Sequence, residues 1–249
     1  MVEIAVFISA GFLCGVLNAI AGGGTFITLP VLIWAGVPPV AANATTTTTA
    51  LPGYMASVWA YRARFGVEGQ LSLWLVILLA AIGGILGGCL LVVTTADAFI
   101  GLVPWLLLTA TLLFAFAPAI LRRLSSGKGP GGARYRSAFL TLAATTYGGY
   151  FNGGLGIVLL SAFSLQGYRD LHGMNGLKNL LASVLSIGSV ITFVGADLIE
   201  WDATLPMMTG NIGGAFIASR LVQRFECVEA LRLLIIAIGF ALSAAFFFL

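Results

Sequence analysis

Two clusters of glycine, each next to an asparagine, are the positions at which this sequence could do chemistry. The first cluster, the first tip (residues 18–25), contains Asn18, Gly22, Gly23, Gly24 and Thr25. The second tip (residues 150–156) contains Asn152, Gly153, Gly154 and Gly156. Glycine permits a tight turn, and the N–H groups that begin the next helix carry partial positive charge that attracts anions. The tips therefore predict a small site for an oxyanion, with close helix packing through small residues as the alternative.

Polar side chains follow each tip at corresponding distances. They are Asn43, Thr46 and Thr47 after the first tip, and Asn175, Lys178 and Asn179 after the second. At helical spacing each set lies on one face. An ionisable group inside an apolar segment is a functional hypothesis by default, so Lys178 is expected to neutralise an anionic substrate. The alternatives are a lysine that snorkels to the cytoplasmic interface and threonine hydroxyls that bond back to the preceding helical turn.

Other chemistry finds little support in the sequence. It contains no HExxH, GxSxG or Walker A motif, and Cys14, Cys89 and Cys227 lack metal-ligand spacing. We therefore expect neither an enzyme nor a bound metal or cofactor. His172, the single histidine, is either a proton-coupling group or an interfacial loop residue, and Asn211 is expected to bond between helices.

The composition places these residues in a membrane protein. Of 249 residues, 59% are apolar and 8% are charged, whereas a soluble domain carries about 25% charged residues. The net charge of +3 is too small to indicate nucleic-acid binding. The expected partners are membrane lipid and a small anion, and association into a homo-oligomer is left open.

Ten apolar runs predict an all-α polytopic fold. The runs cover 4–20, 25–36, 40–61, 71–93, 98–121, 138–151, 155–166, 174–195, 203–222 and 230–249. Several reach the roughly 20 residues that a spanning helix needs. The others form two pairs around the tips and are predicted to be short or re-entrant helices, a pattern that marks transporter binding sites.

The second half of the chain matches the first at an offset of about 130–132 residues. This predicts one transmembrane domain (1–249) made of a first repeat (1–121), a basic linker (122–136) and a second repeat (137–249). Equivalent loops carry opposite charge: Arg62 and Arg64 correspond to a loop with Asp197, Glu200 and Asp202. Such opposition indicates inverted topology, with about five segments in each repeat. The alternative is an irregular helical bundle.

The positive-inside rule then orients the chain. The linker holds five cations and no acid, so it is predicted to be cytoplasmic, with both termini outside the cytoplasm.

Residues 11–32 read GFLCGVLNAIAGGGTFITLPVL, and residues 41–45 read AANAT. This sequence resembles the signature of the sulfite exporter TauE/SafE family, whose members repeat a glycine-rich tip in the second half. The second copy departs from the pattern at Leu155 and Ala162. The resemblance implies a bacterial inner-membrane exporter of sulfite, sulfoacetate or a related anion, with Asn18 and the glycines of both tips at the site.

The expected activity is therefore secondary transport of a small anion by alternating access, since no ATP site is present. The alternatives are a passive anion channel, a transporter of another small anion, and a membrane-embedded enzyme or scaffold, the last disfavoured because no catalytic pairing is present. A cation transporter is disfavoured because Asp97, Asp197, Glu200 and Asp202 all fall in predicted loops.

Overall fold

The computed structural model describes residues 2–20, 22–61, 71–124, 133–168 and 170–222, with scattered positions from 233 to 247. The described part of the chain forms nine helices. They are α1 (Val2–Ile20), α2 (Thr25–Trp34), α3 (Pro39–Tyr61), α4 (Leu73–Val93), α5 (Ala96–Leu124), α6 (Ala133–Tyr150), α7 (Leu155–Leu165), α8 (Leu171–Gly195) and α9 (Trp201–Val222). These helices correspond to nine of the ten predicted runs, and the tenth, 230–249, falls largely outside the described residues.

Helix length follows the predicted alternation of long and short segments. Three helices are long and apolar enough to cross a membrane by length and composition: Val2–Ile20, Leu73–Val93 and Gly173–Gly195. The helices that follow the tips, α2 and α7, have only 10 and 11 residues. Such a helix rises about 15 Å, which is half of a bilayer core.

Helical structure extends into both ends of the predicted linker, 122–136. Helix α5 continues to Leu124 and α6 already begins at Ala133, so the four arginines at the ends of the predicted linker are helical. Arginine and leucine favour helix, and the first glycine after α5 is Gly127. The remainder of the linker, the loop with Arg62, Arg64 and Glu68, and the cations after α9 lie outside the described residues.

Helices α1 and α9 pack against each other through glycine. A Cβ added at Gly11 would collide with the backbone of Met207, and one added at Gly15 would collide with that of Asn211. From the first contact to the second, the residue number rises by four in both helices, so α1 and α9 run parallel. Asn211 Nδ2 also donates to the Gly11 carbonyl at 3.4 Å, which confirms its predicted role as a bond between helices.

Helix α4 repeats this arrangement with α6 and α8. Gly83 and Gly87 lie against Thr145 and Thr146 of α6, while Gly84 and Gly88 lie against Leu185 and Ser189 of α8. Residue numbers again increase in the same direction along the contacting helices, so α4, α6 and α8 run parallel. On the other side of the bundle, α3 runs parallel to α9, because Thr45 bonds to Glu200 and Ser57 bonds to Ser219.

The two groups of helices run in opposite directions. Only residues 196–200 connect α8 to α9, and so short a connection makes the two helices antiparallel. Helices α1, α3 and α9 therefore run one way, and α4, α6 and α8 run the other way. Large apolar side chains, among them Trp34 and Trp74, cover the outside of the bundle, as expected for a surface that faces lipid.

The glycine seam between α1 and α9 predicts a matched pair of stability effects. In Gly210→Ala the new methyl group would meet the carbonyl oxygen of Ile8, whereas in Gly101→Ala it would meet nothing within 4 Å. Alanine favours helix over glycine by about 1 kcal/mol at both sites. We expect Gly101→Ala to keep or raise the melting temperature in detergent and Gly210→Ala to lower it by several degrees. Equal melting temperatures would contradict close packing at this seam.

Candidate functional site

The two tips meet each other inside the bundle. Gly22 adopts a left-handed conformation (φ 81°), and a Cβ at this position would collide with the backbone nitrogen and Cα of Gly156. Gly154, the residue before α7, is also left-handed (φ 71°). Glycine is therefore required for the turn in both tips and for their contact at Gly22.

The contact lies near the middle of the bundle. Gly15 of α1 packs beside Asn211, the midpoint of α9, so α1 ends about 7.5 Å beyond that level. Thr145 of α6 packs beside Gly83, the midpoint of α4, so α6 likewise ends about 7.5 Å beyond it. The two helices run in opposite directions, so their ends overlap at the centre.

Internal hydrogen bonds already occupy part of the first tip. The Gly24 N–H donates to Asn18 Oδ1 at 2.8 Å, and the Gly22 N–H donates to the Leu17 carbonyl at 2.9 Å. Asn18 therefore holds the shape of the turn. Near the start of α2, the N–H groups of Gly23 and Thr25 are not used in these bonds. The tip therefore has fewer N–H donors available for an anion than its run of glycines suggests.

Two tyrosines hold the second tip. The Tyr54 hydroxyl of α3 donates to Asn152 Oδ1 at 2.9 Å, and the Tyr147 hydroxyl of α6 donates to the Gly153 carbonyl at 2.6 Å. Tyr147 was not identified from the sequence, where one tyrosine among many apolar residues carries no distinguishing signal. Both contacts set the orientation of the polar groups in this tip.

Lys178 is fully inside the protein. Its side chain is 1% exposed, and it is the one charged residue in the buried class among the described residues. Lys178 Nζ donates to the carbonyls of Asn18 and Ala19 at 3.3 and 3.5 Å. A cation at a helix C-terminus is favourable because the last carbonyls carry partial negative charge. The snorkelling alternative is therefore wrong.

The end of α6 is bonded in a related way by the other half of the chain. Asn43 Nδ2 of α3 donates to the Tyr150 carbonyl, the last residue of α6, at 2.8 Å. A side chain of α3 thus donates to a carbonyl at the end of α6. In the same way, Lys178 of α8 donates to carbonyls at the end of α1.

Several buried polar atoms around these helix ends have no hydrogen-bond partner. Among the predicted site residues they are Asn43 Oδ1, Thr46 Oγ1, Asn152 Nδ2 and Asn179 Oδ1. Thr49 Oγ1 and Ser186 Oγ, which the prediction left out, share this property. Buried polar groups are normally bonded, so unpartnered ones indicate a place for ligand or water.

Other predicted residues have ordinary structural bonds. Thr47 Oγ1 donates to the Asn43 carbonyl at 3.1 Å, in agreement with the back-bonding alternative. Asn175 accepts from Asn179 Nδ2 at 2.9 Å through its main-chain carbonyl. His172 lies in the first turn of α8, and its side chain is outside the described residues. Within the described ranges, no three His, Cys, Asp or Glu side chains are grouped as metal ligands.

The predicted site residues occupy two levels. Gly53 packs beside Asn211, the midpoint of α9, so Thr46 lies about 10 Å before the middle on α3. Leu185 packs beside Gly84, near the midpoint of α4, so Lys178 lies about 10 Å before the middle on α8. Helices α3 and α8 run in opposite directions, so Thr46 and Lys178 lie on opposite sides of the contact between the tips.

The contact between the tips predicts a difference between two left-handed glycines. Gly22→Ala and Gly36→Ala both place a side chain at positive φ, but a Cβ at Gly36 would meet nothing within 4 Å. Both variants carry the same backbone strain, and Gly22→Ala alone forces the tips apart. We expect Gly22→Ala to lower the melting temperature by several degrees more than Gly36→Ala does. Equal losses would contradict the tip contact.

Comparison with known proteins agrees with this architecture. The family model for the sulfite exporter TauE/SafE matches residues 7–246. A probable membrane transporter protein of Haemophilus influenzae is 25% identical, over 97% of this chain and 93% of that protein. The probable membrane transporter proteins ORF9 of Sinorhizobium sp. and YfcA of Escherichia coli K12 are 28% and 27% identical, over 94% and 93% of this chain and 88% and 85% of those proteins. The chain is thus a multi-pass membrane transporter, and it belongs to the sulfite exporter TauE/SafE family.

Proposed function

We propose that this transporter exports a small sulfur-containing anion, such as sulfite, sulfoacetate or a similar organosulfonate, across the bacterial inner membrane by alternating access. The observation that carries the proposal is the buried side-chain nitrogen of Lys178, whose described partners are two neutral carbonyls. Desolvating a cation costs several kcal/mol, and carbonyl dipoles offset that cost only in part. An anion beside Lys178 would offset the rest of the desolvation free energy.

The unpartnered donors supply the rest of the proposed binding surface: the hydroxyls of Thr46, Thr49 and Ser186, and Asn152 Nδ2. Asn43 Oδ1 and Asn179 Oδ1 are acceptors and do not bind an anion. Hydroxyl and amide donors can bind sulfonate oxygens, and the N–H groups that begin α2 and α7 add positive potential. The proposed substrate-binding residues are those predicted from the sequence, together with Thr49 and Ser186, and they form two groups on opposite sides of the tip contact.

The packing of the helices supports an inverted repeat. The pairing of α1 with α9 corresponds to that of α6 with α4, and the pairing of α3 with α9 corresponds to that of α8 with α4. In each case equivalent helices run in opposite directions, as inverted repeats require. We infer that two such halves rock against each other around the tips.

The charge of the connections orients this arrangement. With the basic linker in the cytoplasm, both termini are periplasmic, and the connection between α8 and α9, which carries Asp197 and Glu200, faces outward. A negative cytoplasm then drives anions outward by about 2.3 kcal/mol per charge for each 100 mV.

The meeting of the tips favours a carrier over a channel. A continuous pore needs an open path at the centre, where the backbones of Gly22 and Gly156 are in close contact. Passage of an anion therefore requires the tips to move, which is the defining step of alternating access.

Removal of the buried charge tests the proposed function. In proteoliposomes, we expect wild-type protein to carry labelled sulfite and Lys178→Gln to reduce the flux by about tenfold or more, because the mutant loses the ammonium. Arg220→Gln is the matched control, since Arg220 is exposed and stacks on Phe216 at 4.5 Å. Its flux should equal that of wild type.

Three outcomes would count against the proposal. Equal flux in Lys178→Gln and wild type removes Lys178 from the site. Wild-type flux of other small anions but not sulfite removes the sulfite assignment. A wild-type protein that moves no small anion removes anion export itself.

A further inference from the structure

We propose that the two entrances to the anion site differ in charge, so that the transporter binds its substrate more tightly from the cytoplasm than from the periplasm. The inference rests on the proposed function and adds that the substrate affinity differs between the cytoplasmic and periplasmic faces of the transporter. In the proposed mechanism the cytoplasmic entrance would open at the end of α1, where Lys178 is buried. The periplasmic entrance would open at the end of α6, where Asn43 and Thr46 are buried.

The two entrances are equivalent in position. Thr46 and Lys178 correspond in the internal repeat, and each lies about 10 Å from the middle of the bundle on its own side. Thr46 lies in α3, which bonds the end of α6. Lys178 lies in α8, which bonds the end of α1. Equivalent places in the fold therefore hold a neutral hydroxyl on one side and an ammonium on the other.

The bonds at the two helix ends differ accordingly. At the end of α1, the carbonyls of Asn18 and Ala19 accept from a charged donor. At the end of α6, the Tyr150 carbonyl accepts from the neutral amide of Asn43, and Thr46 Oγ1 is buried without a partner. Only the first arrangement places a cationic side chain where an incoming anion could compete with the carbonyls for it.

Acidic side chains increase the difference. The Glu200 N–H donates to Thr45 Oγ1 at 3.0 Å, which brings an exposed carboxylate next to the helix turn that contains Thr46. Asp197 and Asp202 are exposed in the same connection and first turn. Like charge repels a departing or returning anion, so this entrance disfavours rebinding from the periplasm.

The asymmetry changes affinity without changing the driving force. A passive carrier has equal Vmax/KM at its two faces when no gradient or potential is present, by detailed balance. A low KM at the cytoplasmic face is therefore accompanied by a low Vmax from that face. The membrane potential supplies the net direction, and the charged entrance allows capture at low substrate concentration.

The test measures the KM for sulfite at each face of uniformly oriented proteoliposomes without membrane potential. We expect wild type to have a cytoplasmic KM about tenfold or more below the periplasmic one, since that ratio corresponds to roughly 1.4 kcal/mol of charge interaction. Lys178→Thr should raise the cytoplasmic KM by about the same factor and leave the periplasmic KM within about twofold. Lys178→Arg keeps the charge and should retain the asymmetry.

The converse variant tests whether an added cation increases the affinity at the periplasmic face. Thr46→Lys places a cation at the neutral entrance and should lower the periplasmic KM, with size-exclusion profiles confirming that each variant is folded. Equal KM values at the two faces of wild type would overturn the inference. Lys178→Thr raising both values alike would also overturn it, while supporting the proposed anion site. Absence of wild-type sulfite flux would instead refute the proposed function, on which the inference rests.

Discussion

A helix that ends inside a bundle within a membrane cannot pass its last carbonyls to water, and this constraint organises the structure. Helices α1 and α6 both end near the middle, and the protein itself must bond their free carbonyls. Lys178 of α8 does so for α1, and Asn43 of α3 does so for α6. Each half of the chain therefore depends on the other to complete its first helix.

In the proposed mechanism this mutual dependence links recognition to movement. Lys178 and Asn43, which bond the helix ends, are also the proposed donors to the anion, so a bound anion would compete with the helix carbonyls for them. Because the tips touch at Gly22 and Gly156, neither half can move without separating that contact. Binding that weakens the bonds across the halves is thus a direct physical route to opening the centre.

The segments and both tips were predictable from the sequence because hydrophobic run length and glycine clusters are local signals. The partner of Lys178 was not, since it lies 160 residues away on α1. Asn18 was predicted to line the site, and in the structure its side-chain oxygen accepts a hydrogen bond from the Gly24 N–H, a local contact across six residues that the sequence pattern did not indicate. The predicted inverted repeat makes Thr46 and Lys178 equivalent and implies that they lie on opposite sides of the centre, but their distances of about 10 Å from the middle could be obtained only from the helix registers.

The most direct measurement of the central claim is the position of a bound oxyanion in a crystal. Selenite is a heavier analogue of sulfite, and its selenium can be located by anomalous scattering. We predict one strong selenium peak inside the bundle, within hydrogen-bond distance of Lys178 Nζ or of the N–H groups that begin α2 and α7. A peak bound elsewhere, with the tips and Lys178 unchanged, would contradict the account.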